Sequence, residues 1–66
     1  MEYSNSQIKG IIAEYIHSER DRRLLCRRLV DKVTLEKLAE EFDLSVSQVK
    51  RIVRKGSSTV FRHFPV

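Results

Sequence analysis

With only one cysteine, Cys26, this chain of 66 residues has no internal disulfide to lean on, and His17 and His63 are not spaced with it as metal ligands. One proline and two glycines are too few turn breakers for a β-sandwich. At 41% hydrophobic residues the chain is also too apolar for a disordered tail. No apolar run approaches the ~20 residues that span a bilayer, so a membrane is not an expected partner. The N-terminus, Met1-Glu2-Tyr3-Ser4-Asn5-Ser6, is polar rather than basic and then apolar, which is no secretory signal; the cytoplasm is the expected compartment. An acid pair, a nucleophile beside a base and a phosphate loop are all missing. An enzyme is not expected, nor a cofactor or a bound metal. A chain this short makes one domain, residues 1–66, whose small core must be efficient.

Acidic residues are missing from one part of the chain only. All nine lie between Glu2 and Asp43; beyond Asp43 there are none, while Lys50, Arg51, Arg54, Lys55 and Arg62 remain. The first 43 residues carry eight bases against nine acids, so the C-terminal third, with five bases and no acid, supplies more than the whole net charge of +4. A stretch of one sign is either a solvated helix face or the footprint of a polyanion.

What is there reads as helix. Ile8, Ile11, Ile12, Tyr15 and Ile16 recur at i, i+3, i+4, i+7 and i+8, one stripe of an α-helix over about residues 5–17. Ser4 with Gln7 can form its capping box, with Ser6 as the alternative cap. Its outer side, Lys9, Ala13, Glu14 and His17, is mixed in character. Ser18 opens a second helix over about 19–32, with Glu19 and Asp21 at the positive end of its dipole and Leu24, Leu25, Leu29, Val30 and Val33 as its buried side. Cys26 lies in this helix as a small filler rather than a nucleophile. Thr34 caps a third helix over 35–42, and Ser45 with Gln48 forms a capping box for a fourth over about 46–62. Gly56-Ser57-Ser58 are weak formers, so a bend near Gly56 is expected, and Pro65 ends any helix. Val60, Phe61 and Phe64 either close the core against the first helix or mark a partner groove. The fold class expected is all-α: a compact four-helix domain.

Residues 35–54 carry the spacing of a helix-turn-helix. Two helices that cross steeply at a tight turn need a small residue at the crossing, and Ala39 stands there. The turn needs a residue that tolerates positive φ, and Asp43 occupies that position. Leu44 fills the corner, and Val49 and Ile52 anchor the second helix. Val46, Ser47, Gln48, Lys50, Arg51, Arg54 and Lys55 are thereby left on or near the outer side. Such a set suits double-stranded DNA. Ser45, Ser47 and the helix N-terminus can meet phosphate. Gln48 can pair with adenine, and Arg51 or Lys50 with guanine, along the major-groove edge, while Arg54 and Lys55 are placed for backbone phosphates.

From Glu19 to about Phe61 the chain resembles the fourth conserved region of bacterial sigma factors of the sigma-70 family. Glu19-Arg20-Asp21-Arg22-Arg23-Leu24-Leu25, Val33-Thr34-Leu35-Glu36-Lys37-Leu38-Ala39-Glu40-Glu41-Phe42, Asp43-Leu44-Ser45 and Val49-Lys50-Arg51-Ile52 carry the resemblance. It implies a role near a promoter, with RNA polymerase as a second partner. Carried over by position, Thr34 and Lys37 would touch the DNA backbone, and Val46, Ser47, Lys50 and Arg51 would face the bases. Val46 and Ser47 stand where typical members have Arg and Glu, so the usual promoter preference does not transfer. Lys32 replaces a frequent Gly ahead of Thr34. The part of a sigma factor that grips polymerase and melts DNA has no counterpart in these residues, so a stand-alone small module is expected.

Two classes of function follow. The first is a transcription regulator or sigma-like factor that binds duplex DNA, sequence-specifically or at promoters. The second is a protein-interaction module that docks on RNA polymerase or another regulator without DNA specificity of its own. A basic amphipathic helix on a membrane would not need Ala39, the Asp43 turn and the Ser45 cap in register. No separate dimerisation helix stands out.

Overall fold

The computed structural model describes residues 4–63. Four helices follow one another: α1 (Asn5–Tyr15), α2 (Glu19–Leu29), α3 (Leu35–Phe42) and α4 (Val46–Arg62), with no strand among the described residues. Each begins where a hydroxyl can satisfy an orphan amide. Ser4, Ser18, Thr34 and Ser45 have extended backbone, and their side chains accept from the amides of Gln7, Asp21, Lys37 and Gln48. At Ser4 and Ser45 the glutamine three residues on returns a bond to the cap's own amide, completing both capping boxes.

Two helices end earlier than the apolar pattern suggests. In α1 the helix stops at Tyr15, because Ile16 turns extended (φ −101°, ψ 116°) and its carbonyl accepts from Arg22 Nε. For α2 the end is Leu29 rather than residue 32. There the chain passes through a left-handed residue, Lys32 (φ 58°), which brings Val33 back against the core. Val33 is held by its amide to the Arg27 carbonyl (3.1 Å), and its own carbonyl accepts from Arg28 Nη1 (2.9 Å). Periodicity alone does not register such tertiary anchors.

The core is split in two. Ile12, Leu25 and Val60 form one cluster, with Ile8, Ile11, Ile16, Cys26 and Leu29 against it. Leu24, Leu38, Ala39 and Val49 form the other, flanked by Val33, Leu35, Phe42, Leu44, Val46, Ile52 and Val53. Neighbours in a helix point about 100° apart. Leu24 and Leu25 therefore serve different clusters from adjacent positions, and α4 does the same with Val49 and Val60. The paired helices α2 and α4 run through both halves; α3 closes one and α1 the other. Of the apolar stripe of α1 only Ile12 is fully buried, and Tyr15 is 38% exposed. Its ring instead stacks on His63, with centroids 3.6 Å apart. Val60 enters the core, whereas its neighbour Phe61 is 55% exposed. Phe64 and Pro65 lie outside the described residues.

Helix α4 runs unbroken across Gly56-Ser57-Ser58. Gly56 is buried, and a Cβ placed on it would come within 3.0 Å of Leu25 Cγ and closer still to both Cδ atoms. Its role is to let α2 and α4 approach. Gly10, in α1, has nothing within 4 Å of the same hypothetical atom.

The two glycines therefore make opposite predictions. Gly56→Ala should gain about 1 kcal/mol of helix propensity but lose about 1–3 to overpacking, lowering stability on balance. Gly10→Ala should gain about 0.5–1 kcal/mol and raise the melting temperature by several degrees. Thermal unfolding followed by circular dichroism checks both signs.

Candidate nucleic-acid interface

The interface is built on one turn. Asp43 sits at φ 54°, ψ 48°, and the amide of Leu44 reaches back to the Ala39 carbonyl (2.9 Å) while that of Asp43 approaches Glu40 (3.4 Å). These bonds form a Schellman closure of α3, and Leu44 packs against the cluster that holds Ala39. The chain thus reverses in three residues, and Ser45 starts α4 at once. Ala39, only 8% exposed, lies in that same cluster with Val49 of α4, where a larger side chain would hold the helices apart.

Val49, Gly56 and Val60 are the buried residues of α4. The opposite face carries Ser47, Arg51, Arg54 and Ser58 at i, i+4, i+7 and i+11, all exposed. Lys50 and Lys55 occupy the two flanks of that face and are exposed as well. Among the described residues no ion pair involves Lys50, Arg51, Arg54 or Lys55.

The cations of α2 are spent differently. Arg20 pairs with Asp21 (3.2 Å), Arg22 donates to the Ile16 carbonyl, and Arg28 holds the Val33 carbonyl. Arg27 forms a forked pair with Glu41 of α3, Nε to Oε2 at 3.1 Å and Nη2 to Oε1, and also reaches Asp31 at 3.4 Å. The hydrogen bond from Arg27 is the main reason the Glu41 carboxyl is held below the usual glutamate range; the same bond pushes the Arg27 guanidinium up. So four of the five arginines of α2 serve as ties within the molecule, Arg23 being exposed, while Lys50, Arg51, Arg54 and Lys55 of α4 enter no ion pair among the described residues. On α2 the partly buried Cys26 has its thiol pushed up by that burial.

The other residues named from sequence divide into three groups. Thr34, Lys37, Ser45 and Ser47 are exposed at the starts of α3 and α4. The hydroxyls of Thr34 and Ser45 accept capping bonds (3.3 and 3.1 Å), which leaves each O–H free to donate outward. Gln48 is exposed, yet its Oε1 accepts from the Ser45 amide at 2.9 Å. That oxygen keeps a second lone pair, and the amide N–H group remains available to a ligand. Val46 is half-buried against the second cluster and offers only part of its side chain outward.

The family model described as sigma-70, region 4 matches residues 18–60. The chain belongs to that family. No curated protein and no solved structure matches it. The match makes α3–turn–α4 the helix-turn-helix of a region 4 domain, a transcription-related family. It also leaves α1 outside the matched residues, although α1 supplies Ile12 to the core. Lys32 and Asp43 are the non-glycine residues at positive φ among those described. A left-handed residue costs roughly 1–2 kcal/mol; asparagine and aspartate tolerate it better than lysine does. No helix among the described residues is long and apolar enough to cross a membrane, and no group of three His, Cys, Asp or Glu could hold a metal ion.

The lowered Glu41 carboxyl has a consequence for acid stability. A group whose folded value is depressed stabilises the fold above its unfolded value and loses that contribution as pH falls through the folded one. Arg27, raised, keeps its charge throughout this range. The wild type should therefore melt higher than Glu41→Gln at about pH 7, and the gap should close as pH falls to about 3. Melting curves of the two proteins against pH test it; a gap that persists in acid would assign the stabilisation to something other than the pair.

Proposed function

We propose that this region 4 domain binds double-stranded DNA with α4 in the major groove, as a transcription regulator or sigma-like factor acting near promoters. The observation that carries this reading is the unspent charge on α4. Four exposed cations rise from a capped helix start, on a face without acids and outside any ion pair among the described residues, whereas Arg20, Arg22, Arg27 and Arg28 of α2 each hold a partner within the molecule. A helix of about 10–12 Å diameter fits a major groove about 12 Å wide. Arg51, and Lys50 beside it, read guanine edges; Ser47 and the outward part of Val46 face the bases. Arg54 and Lys55 neutralise phosphates, and Thr34, Lys37 and Ser45 add backbone contacts at the starts of α3 and α4. Gln48 closes the cap and pairs with an adenine edge through its amide group. Residues 1–66 act as one domain, because α1 completes the core that region 4 shares with it. Duplex DNA as the partner puts this work in the cytoplasm.

A second reading is docking on RNA polymerase or on another regulator, without DNA specificity. An open groove of about 670 Å³ beside α2 and α3 favours it, with Cys26 and Phe42 among arginines Arg20, Arg22, Arg23 and Arg27. Retention on polymerase core together with weak, unselective DNA binding would support that reading over the first.

For the first reading the expected result is salt-sensitive binding of duplex DNA. With about four phosphates neutralised, log affinity should fall with log salt at a slope of about −3.6. Arg51→Ala should cost about 1–3 kcal/mol and relax preference at one base position. Fluorescence anisotropy over a salt series measures both, and undiminished binding by the Lys50→Ala, Arg51→Ala double variant would remove α4 from the interface.

A further inference from the structure

A groove of about 420 Å³ runs along one flank of α4, between that helix and the corner where α1 meets α2. Arg51, Lys55 and Thr59 line it from α4; His17, Ser18 and Asp21 line it from the corner; Ile16, Leu25 and Ile52 are among its apolar walls. His17, Ser18, Arg51 and Lys55 are all exposed. Asp21 is the acid here, and Arg20 at 3.2 Å offsets its charge, while its own amide is used in the Ser18 cap. The balance along the groove is therefore cationic, with an imidazole and two hydroxyls as further donors.

We infer that this corner is a second seat for the DNA backbone, in which His17 and Lys55 hold one phosphodiester between them from opposite walls of the groove. The inference rests on the reading of α4 as the groove-entering helix and extends it. A helix in the major groove has a sugar-phosphate backbone on either side. Lys50 lies on one flank of the exposed face and Lys55 on the other, about 140° apart by helical geometry. The Lys55 flank is the one that continues into the α1–α2 corner. A strand that passes Lys55 there comes within reach of the imidazole N–H of His17 and the hydroxyl of Ser18. The ligand is a phosphodiester, not a base, so the seat sets register and adds affinity without reading sequence. It also gives α1, outside the family match, a part in binding: α1 ends at Tyr15, which fixes where His17 stands.

The test is a titration of the intact protein with a labelled random-sequence duplex. His17→Ala should bind about 3- to 10-fold more weakly, as expected for a lost charge-assisted hydrogen bond. His17→Gln, which keeps an N–H donor, should recover most of that loss. Lys55→Ala should weaken binding and make the salt slope shallower by about 1. Because both residues hold the same phosphate, the double variant should lose little more than the worse single one. Circular dichroism should show unchanged folding, since His17 is exposed. Full affinity in His17→Ala, or losses that multiply in the double variant, would overturn the shared seat. If Arg51→Ala weakens binding and His17→Ala does not, the seat fails while α4 keeps its role; if neither weakens it, both fail.

Discussion

The close approach of α2 and α4 at Gly56 is the contact on which the rest of the molecule depends. With hydrogen in place of a methyl group, the backbone of α4 can lie on the fully buried side chain of Leu25. That contact orients both helices, so that Leu24 and Leu25 enter different clusters from neighbouring positions, while Val49 and Val60 enter them from two levels of one face of α4. A domain this small holds few fully buried side chains, and truncating one typically costs about 2–5 kcal/mol against a total of about 5–15. Dividing them between two clusters works only because the same two helices serve both. The helix-turn-helix half and the α1 half are in this sense one structure.

The second organising feature is the use made of charge. Cations close to backbone carbonyls or carboxylates serve the fold: Arg22 at the end of α1, Arg28 at the turn after α2, Arg27 across to α3. The first two fix connections that carry no regular structure, and the third ties two helices together. Leaving α4 without acids forgoes the i,i+4 ion pairs that steady most exposed helices, and its neighbouring cations repel one another. A polyanion relieves that repulsion on binding. Under the proposed DNA-binding function, that cost to the free protein is also what would make the face receptive.

Much of this was legible in the sequence, and for local reasons. A hydroxyl at an N-cap acts on an amide three residues away, so Ser4, Ser18, Thr34 and Ser45 could be named as starts without any knowledge of packing. The left-handed turn at Asp43 and the small residue at Ala39 are likewise properties of a short segment. The absence of acids after Asp43 needed no fold at all. The capping box of Ser45 with Gln48 was also visible, since it needs only two residues three apart.

What the sequence by itself determined is thus the identity and order of the helices, their starting points and the sign of charge on the last one, because hydrogen bonds and apolar repeats within a dozen residues decide these. What only the tertiary structure decided is where α1 and α2 end, why Gly56 is glycine, and which cations are engaged. Each of those depends on groups far apart in the chain, Arg22 on the Ile16 carbonyl, Gly56 on Leu25, Arg27 on Glu41, and no spacing rule reaches across that separation. The meeting of His17 with Lys55 on one groove belongs to the same class: only the packing of α1 and α2 against α4 makes neighbours of them.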